Sequence, residues 1–408
     1  MSAPPLPERY QVIGQGDAAA PRPGPRRGGK YSRKRSRRRW LWLLTVPGVV
    51  LALFVWSVLG AYATAGNENF SAKWADWLRS HDAGFLVNHF EAYYYSHNAP
   101  KKGGQPKALN PVPKASVVKA PVPPAMLPAP GPVPLVVSPA LPGEGQWQPV
   151  GPLVHGQVGM YEAQFRADTI YTSEITSAVW IDPLLIKVSM VPGRTEPGGT
   201  WPHPPYITPA ELPAVAGAFN GGFRFQDAHG GFYLDGRPAV PLRTGAASLV
   251  IYNDGRVNVG SWGTDVTMTP KVSAVLQNLV LMVDGGVLSP SATYNDTRVW
   301  GSTLGANVVV ARSGVGVTAS GALVYVAGPA LTARTLAESL QRAGAVRAMT
   351  LDINPEWVTF NFFSHPDPSN PSLVVPSKLY PNMQRSASRY LGPTEESRDF
   401  FMLSVAGG

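Results

Sequence analysis

The longest apolar stretch of the chain runs from residue 40 to residue 63 and contains 24 residues without a charge. At about 1.5 Å per residue, a helix of this length crosses a hydrocarbon core of about 30 Å. Pro47 and Gly48 lie inside the stretch, and both residue types are tolerated in membrane spans. We therefore expect a transmembrane signal anchor at 40–63. A cleavable signal peptide is the alternative, because Ala61, Ala63 and Ala65 have the spacing of a cleavage site.

Beyond residue 152, short runs rich in Val, Ile and aromatic residues are separated by turn residues, a pattern typical of β-strands. Strands are predicted at 175–181, 184–191 and 214–220, and hairpins at 248–262 and 307–328. A helix is predicted from Thr332, its N-cap, to Gly344, and a further strand at 345–353. The sequence therefore predicts an α/β (α+β) domain over 153–408, with a mixed β-sheet and a site at a strand end.

Two segments of different composition separate the apolar stretch from this domain. Residues 64–98 carry aromatic side chains at helical spacing, and we expect them near the membrane surface, on a partner or on the main domain. Residues 99–152 contain 15 prolines, which interrupt helices and sheet ladders. We expect 99–152 to form a stiff, extended linker that holds the domain away from the membrane.

The charges of the chain indicate its orientation. The chain has 35 basic and 26 acidic residues, and positions 1–39 hold 11 of the basic and two of the acidic ones. The remainder therefore has 24 basic and 24 acidic residues. An excess of Lys and Arg stays cytoplasmic, so we expect 1–39 to be a cytoplasmic tail and the chain after residue 64 to be extracytoplasmic. A neutral remainder lacks the basic surface that nucleic-acid binding requires. No cysteine is present, so no disulfide supports the exported part.

One candidate site follows the predicted strand at 214–220. Asn220 ends that strand, and Gly221 and Gly222 follow it. Glycines allow a sharp turn and a close approach by a ligand, and an amide suits the hydroxyl groups of a sugar. The sequence therefore predicts substrate binding here, with a plain strand-to-turn junction as the alternative.

A second candidate site follows the predicted strand at 345–353. Asp352 and Glu356 lie four residues apart, with Asn354 between them and Trp357 beside them. Paired carboxylates are what the cleavage of a glycosidic bond requires, and a Trp can stack on a sugar ring. We expect Asp352 and Glu356 to be catalytic and Asn354 and Trp357 to bind substrate, with surface acids in a loop as the alternative.

Other polar residues complete the candidate set. Arg243 and Arg298 are candidates for binding a phosphate, and His229 for reaching the Asn220 loop. The histidines lack the spacing of a zinc site, so no metal-binding residue is predicted. The sequence leaves open whether a divalent cation assists at the phosphate. No organic cofactor is expected, because no Walker or dinucleotide glycine pattern is present.

Taken in order, several landmarks resemble the phosphodiester glycosidase family, whose members include enzymes that remove N-acetylglucosamine from a phosphodiester on mannose. The landmarks are AFNGGF (218–223), YNDGRV (252–257), AVLQNLVLMVDGGVL (274–288), STLGANVVVARSG (302–314) and LTARTLAESLQRAGAVRAMTLD (331–352). The resemblance implies cleavage of the bond between a sugar's anomeric carbon and a phosphodiester. It also implies that Asn220, Gly221 and Gly222 match the family's Asn-Gly-Gly loop and that Asp352 matches its terminal Asp.

Two positions differ from the family pattern. Residues 353–356 stand where the family has a glycine run. Residues 301–305 align with a family motif that contains an Arg, and this Arg is absent unless Arg298, three residues earlier, replaces it. The expected function is a membrane-anchored, extracytoplasmic hydrolase of glycosyl phosphodiesters in cell-wall or surface polysaccharide. The alternative is a non-catalytic domain that binds envelope glycan or scaffolds an assembly. The expected partners are that polysaccharide and the membrane, the latter through 40–63, and the sequence indicates no particular protein partner.

Overall fold

The computed structural model describes residues 33–64, 66–118, 126–301 and 308–406. Predictions that fall on 1–32, on Ala65, on 119–125, on 302–307 and on 407–408 lie outside this part of the chain. The helices are α1 (Arg33–Ala63), α2 (Phe70–Ser80), α3 (Gly84–His97), α4 (Phe225–Ala228), α5 (Pro290–Thr293), α6 (Thr297–Trp300) and α7 (Ala333–Arg342). The chain divides into two compact units, and their boundary falls inside α1, between Trp56 and Ser57.

Helix α1 contains the apolar stretch that the sequence singled out. Over Thr45–Ala63 it is long and apolar enough to cross a membrane, with a mean hydropathy of 2.0. The predicted apolar helix is therefore present. Its length and composition fit both a signal anchor and a signal peptide.

The strands form three sheets. They are β1 (Ser116–Val118), β2 (Gln148–Val154), β3 (Gln157–Phe165), β4 (Thr176–Ile181), β5 (Ile186–Val191), β6 (Val215–Asn220), β7 (Phe232–Leu234), β8 (Arg237–Val240), β9 (Ala247–Tyr252), β10 (Val257–Ser261), β11 (Val272–Gln277), β12 (Val283–Asp284), β13 (Val287–Leu288), β14 (Val310–Thr318), β15 (Leu323–Leu331), β16 (Ala345–Thr350), β17 (Phe360–Ser364), β18 (Val375–Lys378) and β19 (Phe400–Val405). The strand orders are β1-β2-β3-β4-β15-β14-β16-β12-β13, β10-β9-β11-β7-β8 and β18-β17-β6-β19-β5.

The predicted β-sheet domain is present, but it is mostly antiparallel with few helices, rather than α/β. Among the paired strands that the structure describes, only β1 and β2 run parallel. Strands β15 and β16 do run in the same direction, with α7 connecting them. However, β14 lies between them and is antiparallel to both, so they never pair directly.

Helix α7 forms as predicted because its signals are local. Thr332 caps its first turn in a reciprocal box with Thr335, and Leu336 and Leu340 are buried against the sheet. Gly314 of β14 lies directly below, where a Cβ would come within 3.4 Å of both leucines. This close packing fixes the position of β16 and therefore of the residues that follow it.

The proline-rich segment lies on the domain in its described parts, which corrects the predicted extended linker. The amide of Asn110 donates to Gln164 Oε1 at 2.7 Å, and the amide of Leu127 donates to Asp182 Oδ2 at 2.6 Å. Strand β1 pairs with β2 and forms one edge of the largest sheet. Prolines cannot donate, but the amides between them can, so the segment is held by the residues that separate its prolines.

Aromatic side chains fill the core beneath the second candidate site. Phe219, Tyr325, Phe360 and Phe401 come from four different strands, and their ring centroids lie 5.0–5.8 Å apart. All four are fully buried. Burial of one such ring stabilises the fold by about 1.5–3 kcal/mol, so this cluster gives the strand ends above it a rigid base.

Candidate active site

A cavity of about 440 Å³ opens beside the end of β16. We call it the Asp352 cavity. Its walls come from six parts of the chain: the loop after β16, the residues around α4, the residues around α6, helices α2 and α3, the residue Leu279 after β11, and Arg398 before β19. The residues that line it are Asp76, Arg79, Asn88, Glu91, Phe223, Arg224, Asp227, His229, Leu279, Thr297, Arg298, Val299, Gly301, Asp352, Ile353, Asn354, Trp357 and Arg398.

Asp352 lies at a strand end, as the sequence predicted. Backbone bonds between Ser313 and residues 351–352 continue the β14–β16 ladder to this point. The Asp352 side chain is buried, and its Oδ1 accepts from the amide of Asn354 at 2.8 Å. Its Oδ2 lies 3.2 Å from Nη2 of Arg398. The carboxyl is therefore held in one orientation from both oxygens.

Burial and a neighbouring charge act on the pKa of Asp352 in opposite directions. Burial raises the pKa of the Asp352 carboxyl above its ordinary value of 3.8, and the charge of Arg398 acts in the opposite direction. Burial is the larger effect, so the net shift of the pKa is upward. A carboxyl with a raised pKa is a stronger base once ionised, which suits proton exchange.

Arg398 is a residue of this cavity that sequence reasoning missed. Its guanidinium pairs with Asp352, donates to the carbonyl oxygen of Gly222 and lies 4.6 Å from the ring centroid of Trp357. It is almost fully buried. The residue lies outside 218–352, where the resemblance ended. An adjacent Arg398-Asp399 pair opening the apolar run of β19 was the signal that could have indicated it.

Asp399 adds a second unusual carboxyl next to this group. Burial raises its pKa to about 7, and the charge of Arg398 opposes that rise. Its Oδ2 has no hydrogen-bond partner in the described part of the chain. A Cβ at Gly221 would collide with this carboxylate. The first glycine of the Asn-Gly-Gly loop is therefore required by packing against Asp399, and neither Gly221 nor Gly222 lines the cavity.

Asn220 is not placed to bind a sugar, which corrects its predicted role. Its Oδ1 accepts from the amide of Thr359 at 3.1 Å and from the hydroxyls of Tyr325 and Ser313 at 3.0 and 3.3 Å. Its Nδ2 donates to the carbonyl oxygen of Gly221 at 2.7 Å. Because Asn220 is buried and bonded at both ends, it joins β6, β14, β15 and the start of β17 beneath the cavity.

Glu356 is turned away from Asp352, which corrects the predicted carboxylate pair. Its Oε1 accepts from Arg385 at 2.7 Å, and its Oε2 accepts from Asn69 at 3.0 Å. It does not line the Asp352 cavity. A buried carboxylate that is satisfied by an arginine and an amide has a structural role, here the attachment of the segment before α2 to the loop after β16.

The remaining candidates divide between the cavity and other places. Asn354, Trp357, His229 and Arg298 all line the cavity. The guanidinium of Arg298 is exposed and pairs with Asp296 at 2.7 Å. Arg243 does not line the cavity; its backbone bonds the side chain of Gln277 instead. The predicted match of 301–305 to the family's Arg-containing motif falls mostly on 302–307, outside the described residues.

Helices α2 and α3 were expected near the domain or the membrane, and they form one wall of the cavity. Asp76 of α2 forms an ion pair with Arg224, just before α4. Arg79 of α2 donates to both oxygens of Glu91 on α3, at 2.8 and 2.9 Å. These charges face the cavity together with Arg398 and Asp352, so the wall opposite the strand ends is polar and fully paired.

A metal site is not apparent in the part of the chain that the structure describes. No group of three or more His, Asp or Glu side chains is placed there to hold an ion. Four basic residues line the cavity, Arg79, Arg224, Arg298 and Arg398, and each of them pairs with an acidic side chain.

Comparisons with known proteins identify a family for one part of the chain. Residues 214–352 match the phosphodiester glycosidase family. No curated protein matches the chain. A solved structure, "Zebrafish N-acetylglucosamine-1-phosphodiester alpha-N-acetylglucosaminidase catalytic domain auto-inhibited by pro-peptide", is similar over 64% of this chain and 87% of that one, with 16% identity and a TM-score of 0.37. A hypothetical protein from Synechocystis is similar over 63% of this chain and 64% of that one, with 11% identity and a TM-score of 0.33.

Proposed function

We propose that this chain, whose residues 214–352 form a domain of the phosphodiester glycosidase family, hydrolyses glycosyl phosphodiesters at the Asp352 cavity. The members of that family are classed as hydrolases. One observation carries this proposal. Asp352, the last residue of the family match, is buried at the cavity wall and held by Arg398 and the amide of Asn354. An oriented carboxyl with a raised pKa in a cavity that arginines also line suits a substrate that carries a phosphate.

The reaction assigns a role to each of these groups. Ionised Asp352 takes a proton from a water molecule, whose oxygen bonds to the anomeric carbon of the sugar. The bond between that carbon and the phosphodiester oxygen breaks, and the phosphate leaves as a monoester. Arg398 orients Asp352, Trp357 and Asn354 contact the sugar, and exposed Arg298 reaches the phosphate. Asp227, which lines the same cavity, replaces Glu356 as the candidate second carboxylate.

The site of action follows from the amino-terminal part of the chain. In this proposal α1 is a signal anchor, the basic residues before it stay cytoplasmic, and the domain acts outside the membrane on cell-wall or surface polysaccharide. The 11 basic residues in 1–39 and the apolar helix at Thr45–Ala63 support this orientation.

A second candidate function is glycan binding without cleavage. The orientation of Glu356 supports it, because the carboxylate that the sequence paired with Asp352 bonds Arg385 and Asn69 instead. The two functions differ in whether Asp352 exchanges a proton during a reaction.

The first prediction compares the full chain, reconstituted in lipid nanodiscs, with its Asp352→Asn variant on a series of sugar-1-phosphodiesters. We expect kcat to fall by about 10² to 10⁴-fold, because the amide keeps the shape of Asp352 but cannot act as a base. KM should change little. The measurement is the rate of release of reducing sugar.

Asp284→Asn is the matched control, because Asp284 is an exposed acid at a β-turn and does not line the cavity. It should retain wild-type kcat. Equal rates for the wild type and Asp352→Asn would remove Asp352 from the chemistry. Binding of envelope glycan without any release of sugar by the wild type would favour the second function.

A further inference from the structure

A second cavity, of about 450 Å³, lies beside the first one. We call it the apolar cavity, because most of its lining is apolar and comes from α2 and α3: Ala72, Trp74, Ala75, Leu78, Val87, Phe90 and Tyr94. Its floor is made by Asn354, Glu356 and Gln384 of the main domain. Of the described residues that line it, none is basic, in contrast to the Asp352 cavity with its four arginines.

The two cavities are neighbours that share wall residues. Glu91 and Asn354 line both of them. The amide of Asn354 donates to Asp352 Oδ1 at 2.8 Å, so the shared wall directly adjoins the carboxyl assigned to catalysis. A ligand that spans both cavities would therefore have an anionic or polar part beside Asp352 and an apolar part beside α2 and α3.

The apolar cavity has the surface of a site for an aliphatic chain. Leu78 and Val87 are buried at its base, whereas Phe90 is 64% exposed at its rim. Exposed large apolar side chains next to an apolar cavity are typical of a surface that a ligand covers. Two carboxylates line it, Glu356 and Glu91, and they are paired with Arg385 and Arg79, so neither offers a free charge to a ligand.

Helix α2, which lines the apolar cavity, follows α1 closely in the sequence. Only residues 64–69 separate α1 from α2. Six residues extend over at most about 25 Å, so α2 begins within that distance of the end of α1. If α1 spans a membrane, as proposed, the apolar cavity lies within reach of lipids at the outer surface.

We propose that the apolar cavity binds the aliphatic alcohol of a glycosyl phosphodiester, so that the substrate is a lipid-linked glycan whose sugar and lipid are joined by one phosphate. This inference rests on the proposed function of the Asp352 cavity and specifies its substrate class. Water adds its hydroxyl to the anomeric carbon, the bond to the phosphate oxygen breaks, and the lipid alcohol leaves as its phosphate monoester.

The first test measures binding and does not depend on cleavage. The probe is glucose 1-phosphate esterified with a twelve-carbon alcohol that carries a terminal diazirine, added to the full chain in nanodiscs and photolysed. We expect labelling within 72–94, identified by mass spectrometry. Ala75→Trp, which fills the cavity, and Phe90→Ser should each reduce this labelling at least fivefold. Phe85→Ser is the matched control, because Phe85 is 69% exposed on the same helix but lines neither cavity.

The second test compares kcat/KM for dodecyl and methyl esters of the same sugar phosphate. Each buried methylene group contributes about fourfold to affinity, so the wild type should prefer the dodecyl ester at least about tenfold. Ala75→Trp should abolish the preference, and Phe85→Ser should retain it. Labelling that avoids 72–94, or equal kcat/KM for both esters, would overturn the inference while leaving the hydrolase intact. Labelling of 72–94 without any hydrolysis would support the lipid site and refute the proposed reaction.

Discussion

The chemistry at Asp352 depends on a balance between burial and one guanidinium. Burial raises the pKa of this carboxyl, and Arg398 at 3.2 Å lowers it. Since the proposed reaction uses the ionised form, activity should be lost as pH falls through this pKa. In the proposed reaction, Arg398 therefore determines how far into the acid range activity extends, and it acts as a positioning residue rather than a catalytic one.

The second prediction concerns the pH profile of an Arg398→Gln variant. Removal of the guanidinium removes the main influence that lowers the pKa of Asp352, so the acid limb of kcat/KM should move to higher pH. A purely structural role for Arg398 would lower the rate at all pH values without moving this limb. Arg334→Gln, at an exposed arginine of α7 that pairs with Glu338, should leave the limb in place.

Asn220 shows how a side chain that suits a ligand can instead be required by the fold. An amide both donates and accepts, so it can bond a sugar or join several strands. Here Tyr325, Ser313 and Thr359 surround it, and each is far from it in sequence. Spacing along the chain could not distinguish the two roles, because the partners of Asn220 come from other strands.

At the scale of elements, α2 and α3 are attached to the domain by polar contacts at the start of α2. Arg385 donates to Glu356 and to Asn67, and Glu356 also accepts from Asn69. Arg385 and Glu356 are both buried. This buried ion pair connects the segment before α2 with the loop after β16, and both proposed ligand cavities depend on that attachment.

The third prediction is that Glu356→Gln destabilises the fold without changing the chemistry. Loss of one member of a buried ion pair leaves the other charge uncompensated, which costs about 3–5 kcal/mol. We expect that loss in urea unfolding of the full chain, with kcat per folded molecule close to that of the wild type. Glu338→Gln removes an exposed partner of Arg334 and should cost about 0.5 kcal/mol or less. A fall in kcat of about 100-fold for Glu356→Gln would restore its predicted catalytic role.

At the scale of the whole molecule, the described parts of the proline-rich segment belong to the domain. Gly103 donates its amide to the carbonyl oxygen of Ile170 at 2.7 Å, and β1 extends the largest sheet. The body that carries the site therefore includes residues before 153. The 99–152 segment cannot then serve over its described length as a long spacer between membrane and domain.

The fourth prediction is protection of this segment from trypsin. Lys107 and Lys114 lie in it with exposed side chains, but cleavage needs a locally unfolded backbone. We expect mass spectrometry to find both bonds intact in the folded chain and cut in the same chain unfolded by urea. Rapid release of a folded fragment that begins near residue 153 would contradict the docked arrangement.

The sequence by itself determined the features that depend on neighbouring residues. The apolar helix, the hairpin that turns at Asp254-Gly255, the Thr332 cap of α7 and the strand end at Asp352 all rest on local periodicity, turn chemistry and capping. Such signals lie within one element, so the sequence order contains them. The order of landmarks over 218–352 was likewise enough to indicate the family that the comparison with 214–352 found.

Only the tertiary structure decided which distant residues meet. Arg398 reaches Asp352 because β19 pairs with β6 rather than with a sequence neighbour, and Glu356 meets Arg385 instead of Asp352. The same long-range pairing sets the direction of the strands and the contact of the two cavities at Asn354. It also sets the contacts that hold the proline-rich segment on the domain. Periodicity indicates which face of an element is buried, but the partner on that face depends on how all elements pack together.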